Sequence, residues 1–209
     1  MSRADAPPVL RFRGLGESPL ECTTARPATN SQRQTDQVIV RAATSGDESS
    51  IAEVHVAAWQ RAYRGIMPAS YLDGLSVPNR TDLWRAIIAE LNPPAVNALV
   101  AVEDSTILGF VHHCSSRDPE ATSAVGEISA IYVHPDQWGE GIGSQLLHGA
   151  LDSLQMAGFS SATLWVLALN ARARRFYESK GWRADGATRS EVRGSFTLDE
   201  LRYSTRLSG

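Results

Sequence analysis

The stretch from Glu127 to Gly143, EISAIYVHPDQWGEGIG, constrains this chain more than any other. A β-type run ends at Pro135, glycines follow at positions 139, 141 and 143, and a helical pattern starts at once. Ile142, Leu146, Leu147, Ala150, Leu151 and Leu154 recur at spacings of three and four, the mark of an amphipathic helix. Glycine admits positive φ and close approach of backbone to a ligand. Successive N–H groups at the positive end of a helix then converge on one anion. A diphosphate is the natural guest.

Three nucleotide readings compete for that loop. A Walker loop needs Gly-Lys-Ser/Thr, and Gly143 is followed directly by Ser144. A dinucleotide fingerprint needs GxGxxG, and here the third glycine comes one residue early. A glycine-rich connection with no ligand would bear the backbone entropy of three alternating glycines for nothing. The diphosphate of coenzyme A remains.

The rest of the chain is compatible with one globular domain. Its 209 residues are 43% hydrophobic with a net charge of -3, so no bulk electrostatic case exists for nucleic acid or an anionic membrane. No apolar run approaches the length of a membrane span. Cys22 and Cys114 read as two separate thiols, and a cytoplasmic location is the default. The five histidines show no metal-ligand spacing with one another or with cysteine, so no metal is expected. Neither GxSxG nor a Cys–His pairing supports a covalent acyl-enzyme.

Residues 1–36 are polar and aperiodic and are read as a flexible lead-in, leaving a domain over 37–209. Strands are predicted at 38–42, 98–102, 107–111, 126–133 and 162–167, with the last two at about 182–184 and 196–205. Helices are predicted around Ile51–Trp59, Leu83–Leu91, Ile142–Leu154 and Asn170–Lys180, with a helical turn at Tyr71–Leu75. Asp47 or Ser49 would cap the first, and Gly181 would stop the last. That order is a mixed α/β sheet.

Val133-His134-Pro135 with the glycine loop, and the later segment Asn170-Ala171-Arg172-Ala173-Arg174-Arg175-Phe176-Tyr177 ending at Gly181-Trp182, resemble the GCN5-related N-acetyltransferase (GNAT) superfamily. The likeness covers about Val38 to Leu207 and is strongest over 126–182. It implies a mostly antiparallel sheet flanked by helices, with a splayed pair of central parallel strands. It also implies transfer of an acetyl group from acetyl-CoA, as cosubstrate, to a primary amine by direct attack in a ternary complex. The family pattern is Gln/Arg-x-x-Gly-x-Gly/Ala, and Trp138 fills the Gln/Arg position here.

The site residues follow from that likeness. Main-chain groups of Gly139, Glu140, Gly141, Ile142, Gly143 and Ser144 would hold the diphosphate, beside Trp138. Ile131, Tyr132 and Val133 would bind the thioester and pantetheine arm, with Asn170 as helix cap and a further contact. Glu127 is the expected base, since period-two alternation puts it on one face with Ser129, Ile131 and Val133. Such a base matters because a protonated alkylamine has a pKa of about 10.4. Tyr177, at the family's spacing from Asn170, is the expected acid for the departing sulfur. The acceptor, a small-molecule or peptide amine, would lie between Trp59–Leu75 and Arg193–Arg202, and Tyr63, Tyr71 and Trp84 are candidate walls. Homodimers are common in the family. A sensor that binds acyl-CoA without turnover, and a nucleotide-binding regulatory domain, are the alternatives.

Overall fold

The computed structural model describes residues 37–207. The lead-in with Cys22, and Ser208 and Gly209, lie outside them. Seven strands form one sheet: β1 (Ile39–Ala42), β2 (Asn97–Glu103), β3 (Thr106–Ser115), β4 (Val125–Val133), β5 (Ser161–Leu167), β6 (Arg183–Arg193) and β7 (Phe196–Arg206). Their spatial order is β1-β2-β3-β4-β5-β7-β6. Every neighbouring pair is antiparallel except β4 with β5. Helices α1 (Glu48–Ala62), α2 (Ala69–Asp73) and α3 (Val77–Ala89) cover one face; α4 (Ile142–Met156) and α5 (Ala171–Ser179) cover the other. The expected mixed, mostly antiparallel sheet is therefore present.

Local chemistry explains most boundaries. Asp104 and Ser105 take positive φ in the two-residue turn that joins β2 to β3, as a tight hairpin requires. Ser76 caps α3 through Asn79 N–H, with Pro78 in the first turn. Asp47 stands at the start of α1, but Arg41 and the Thr44 N–H take its carboxylate, so it does not cap. Gly181 ends α5 at a φ of +82°. β6 runs far beyond the three residues expected of it. Its side chains are mostly exposed, so it has no apolar alternation to read, and pairing with β7 defines it.

The α4 face buries Leu146, Leu147, Ala150 and Leu154 against Val111, Ile128 and Leu164. On the opposite face Trp84, Ile51 and Phe110 form a second core. Three histidines, His55, His112 and His113, are buried in or beside that layer. His55 Nδ1 accepts from Trp84 Nε1 at 3.1 Å, which requires an unprotonated nitrogen there. Burial holds His55 and His113 below the ordinary value of 6.5 and takes His112 down to about 3.

Below pH 6.5 the unfolded chain takes up protons that the folded chain refuses. Stability is thus full above 6.5 and falls as pH drops toward 3. One such proton contributes a slope of about 1.4 kcal/mol per pH unit, and three together about 4. Urea unfolding at pH 7.5, 6 and 5 measures this slope. A slope well below one proton would mean that none of these imidazoles is held neutral.

Strands β4 and β5 pair only from Val125–Glu127 to Ser161–Thr163 and then separate. The cause lies in β4. Its register against β3 slips between His112 and His113, leaving Ser129 as an extra residue between Ile128 and Ala130. A bulge of this kind bends and twists its strand away from its neighbour. Ser129 Oγ lies 2.5 Å from His112 Nδ1 and so pins the bulge to β3.

Candidate active site

The separation of β4 and β5 opens a cavity of about 510 Å³ through the sheet. Its walls come from the end of α1, the bulged half of β4, the glycine loop, the first turn of α4, the end of β5, and α5.

At one end lies the loop. Gly139 and Gly141 have φ of +105° and +80°, where a Cβ would meet nothing but would strain the backbone. Gly141 is the N-cap of α4 and offers no side chain to cap it. The Ser144 and Gln145 N–H groups turn back to Gly141 O at 2.9 and 3.2 Å. The N–H groups of residues 139 to 143 donate to no described residue, so five successive donors stand free at a helix N-terminus. The Glu140 side chain is exposed and outside the cavity wall.

Trp138 ties the loop to β4: its Nε1 donates to Val133 O at 2.9 Å. Its ring carries the Arg172 guanidinium 3.5 Å above the centroid. Arg61 and Arg172 both line the cavity and make this end positive.

In the middle, β4 presents an unpaired edge. His134 N–H donates to Leu108 O at 2.8 Å, so by alternation Tyr132 and His134 bond toward β3. The main-chain groups of Ile131 and Val133 therefore face the cavity. The Tyr132 side chain goes to the α1 face, stacked on His55 with ring centroids 5.1 Å apart. Its hydroxyl lies 3.1 Å from that of Tyr63. Burial raises both phenols, Tyr132 to about 12.

Tyr177, on α5, lines the same cavity with 8% of its surface exposed. Its hydroxyl makes no hydrogen bond to a described residue. Burial, and then the neighbouring Tyr132, push it well above the ordinary phenol range, so it stays protonated at neutral pH. Asn170 caps α5, its Oδ1 accepting from Ala173 N at 3.1 Å, and stands at the cavity wall.

Glu127 is not where unbroken alternation would put it. The extra residue at Ser129 turns Ile131 and Val133 to the α4 face, while Glu127 keeps to the other. Its carboxylate is 4% exposed, lies outside the cavity wall, and is held by the Arg117 guanidinium and backbone N–H. That pair ties down the β3–β4 loop, whose Asp118 accepts from Trp165 Nε1 at 3.0 Å. Of the aromatic candidates, Tyr63 lines the cavity, whereas Tyr71 packs on Phe196 and Trp84 is fully buried.

Trp165 and Glu200, not singled out in the sequence as site residues, also line it. Glu200 stands in β7 opposite Leu167, and its Oε2 accepts from Arg189 Nε at 2.6 Å. Alternation along β7, with Leu198, Glu200 and Arg202 on one face, was the available signal. Among the described residues no group of three or more His, Cys, Asp or Glu could hold a metal ion. No helix among them is long and apolar enough to cross a membrane.

Comparison with known proteins points to one family. Residues 51–182 match the profile of the acetyltransferase (GNAT) family. The chain is 30% identical over 135 residues to YuaI of Bacillus subtilis (strain 168), an uncharacterized N-acetyltransferase. That match covers 64% of this chain and 73% of the relative. Two solved structures share the fold. A PaiA N-acetyltransferase from Thermoplasma acidophilum in complex with coenzyme A has a TM-score of 0.65 at 20% identity, covering 81% of this chain and 99% of that one. A putative acetyltransferase from Salmonella typhimurium with acetyl-CoA has a TM-score of 0.63 at 21% identity, covering 83% and 95%.

Proposed function

Because this chain belongs to the acetyltransferase (GNAT) family, we propose that its cleft moves an acetyl group from acetyl-CoA to a primary amine by direct attack. The observation that carries this reading is the row of five free N–H groups opening onto a passage through the sheet. They suit a diphosphate, and the two neighbouring guanidiniums favour it further.

The thioester supplies the activated acetyl group. The Ile131 main chain and the Val133 N–H, which pair with no strand along the cavity, receive the pantetheine arm and polarise the thioester carbonyl, while Val133 O stays on Trp138. A well-aimed donor of this kind contributes roughly 3 kcal/mol to a transition state. Asn170 holds the start of α5 so that Tyr177 reaches the sulfur, where a phenol kept protonated by burial can hydrogen-bond to or protonate a leaving thiolate. The acceptor enters from the α1 side, between Tyr63 and β7.

Thermal unfolding with coenzyme A, ATP and NAD tests the ligand. At a hundredfold excess over Kd, coenzyme A adds about 2.7 kcal/mol, a rise in Tm of roughly 5–10 °C for a chain of this size. A rise with ATP or NAD alone would end the reading. Mass spectrometry across aralkylamines, polyamines, aminoglycosides, amino acids and peptides then tests turnover. Stabilisation by coenzyme A without any acetylated product would favour the sensor.

A further inference from the structure

We propose that Glu200 is the carboxylate that receives the acceptor, pairing with an incoming primary alkylammonium and taking its proton. This deepens the acetyl-transfer reading and rests on it. The side chain is 2% exposed yet lines the cavity, on the α1 side of the sheet. Its Oε2 is engaged by Arg189, but Oε1 accepts from no described residue. Glu127, the other buried carboxylate of that face, is outside the cavity wall and has both oxygens on Arg117.

The surroundings fit an ammonium on an apolar or aromatic stem. Trp59, Tyr63, Met67, Trp165 and Leu167 share the wall with Glu200, and it is the acidic side chain among them. An alkylammonium therefore meets an apolar and aromatic wall and one carboxylate there, with Arg189 already 4.3 Å from the Trp165 ring centroid and Arg80 5.4 Å from that of Trp59. Burial raises the Glu200 carboxyl above its ordinary value, moving it toward a working base. The charged and titratable groups that face this carboxylate are Arg189, Glu191 and Arg193 from β6, Tyr63 from α1 and Tyr132 from β4.

The protons balance as follows. The ammonium gives one proton to Glu200, which returns it to solvent. The neutral nitrogen bonds to the acetyl carbon, the C–S bond breaks, and the second amine proton ends on the sulfur through Tyr177. The products are the amide, the free thiol and one released proton.

Glu200→Gln keeps the size of the side chain and an acceptor for Arg189 while removing the base. The experiment compares wild type, Glu200→Gln and Glu200→Asp with benzylamine, an ammonium at pH 7, and 2,2,2-trifluoroethylamine, already unprotonated there. Coenzyme A affinity is measured in parallel by titration calorimetry. For benzylamine, Glu200→Gln should lower kcat about 100-fold or more. The wild-type acid limb, lost as pH falls through the Glu200 pKa, should give way to a rate that climbs with pH toward the amine's own pKa. For trifluoroethylamine the deficit should shrink below about tenfold, and Glu200→Asp should fall between the other two enzymes. Equal losses with both amines, a loss under about threefold, or coenzyme A affinity lost in both variants would overturn the proposal. A wild type that binds acetyl-CoA and acetylates other amines of the panel but neither of these would overturn the acceptor class while leaving acetyl transfer intact. One that acetylates nothing would overturn the transfer reading, and this assignment with it.

Discussion

Gly141→Val should weaken coenzyme A binding at least about 100-fold while the protein remains folded. Gly141 holds a φ of +80° as the residue that starts α4. A β-branched side chain there is strained by roughly 1–2 kcal/mol or more, and the peptide escapes by turning its plane. That rotation re-aims the N–H groups on either side, at Gly141 and Ile142, two of the five that donate to no described residue. Each charge-assisted hydrogen bond lost costs about 1.5–3 kcal/mol, so two account for the expected change. Gly158 supplies the control, since it has a φ of +88° beyond the far end of α4, outside the cavity wall. Gly158→Ala carries similar strain and should lower the unfolding midpoint without touching affinity. Calorimetric titration with coenzyme A on both variants decides. If Gly141→Val binds like wild type, or Gly158→Ala loses affinity equally, the loop is not the diphosphate site.

Tyr177→Phe should lower kcat by about 100-fold or more with the affinity for coenzyme A nearly unchanged. The hydroxyl makes no bond to a described residue, so its removal leaves no orphaned partner and little reason to unfold. What disappears is the donor for a thiolate. Burial raises the phenol above its ordinary range. A proton donor raised in this way remains protonated at higher pH, so the alkaline limb of kcat should lie above the usual tyrosine value and vanish in the variant. A thioester with a less basic leaving thiol needs less help, and its deficit should be smaller. Thiol release followed over pH 7 to 11 measures all three effects. A variant with full turnover, or one whose deficit ignores the leaving group, would remove Tyr177 from the departure of sulfur.

The acid sensitivity of the fold bears on both experiments. Assays are best kept above pH 6.5, where His55, His112 and His113 cost the folded state nothing. A loss of activity below that value mixes local titration with global unfolding. Urea midpoints at each pH separate the two.

What the sequence alone determined is what depends on near neighbours. Alternating glycines before an apolar helix define a positive-φ loop with free N–H groups, because φ and helix ends are local properties. Asn170 capping α5, with Tyr177 on the same helix at the cavity wall, is likewise written in nine or fewer residues of chain. Tertiary structure decided the rest. Alternation from Glu127 to Val133 presumes an unbroken pleat, and the extra residue at Ser129 arises only from pairing with β3. That single bulge sends Glu127 to Arg117 and opens the cavity. Glu200 arrives beside the end of β5 because β7 inserts between β5 and β6, a pairing of strands far apart in the chain. Such placement depends on distant backbones meeting, and no window of sequence contains both partners.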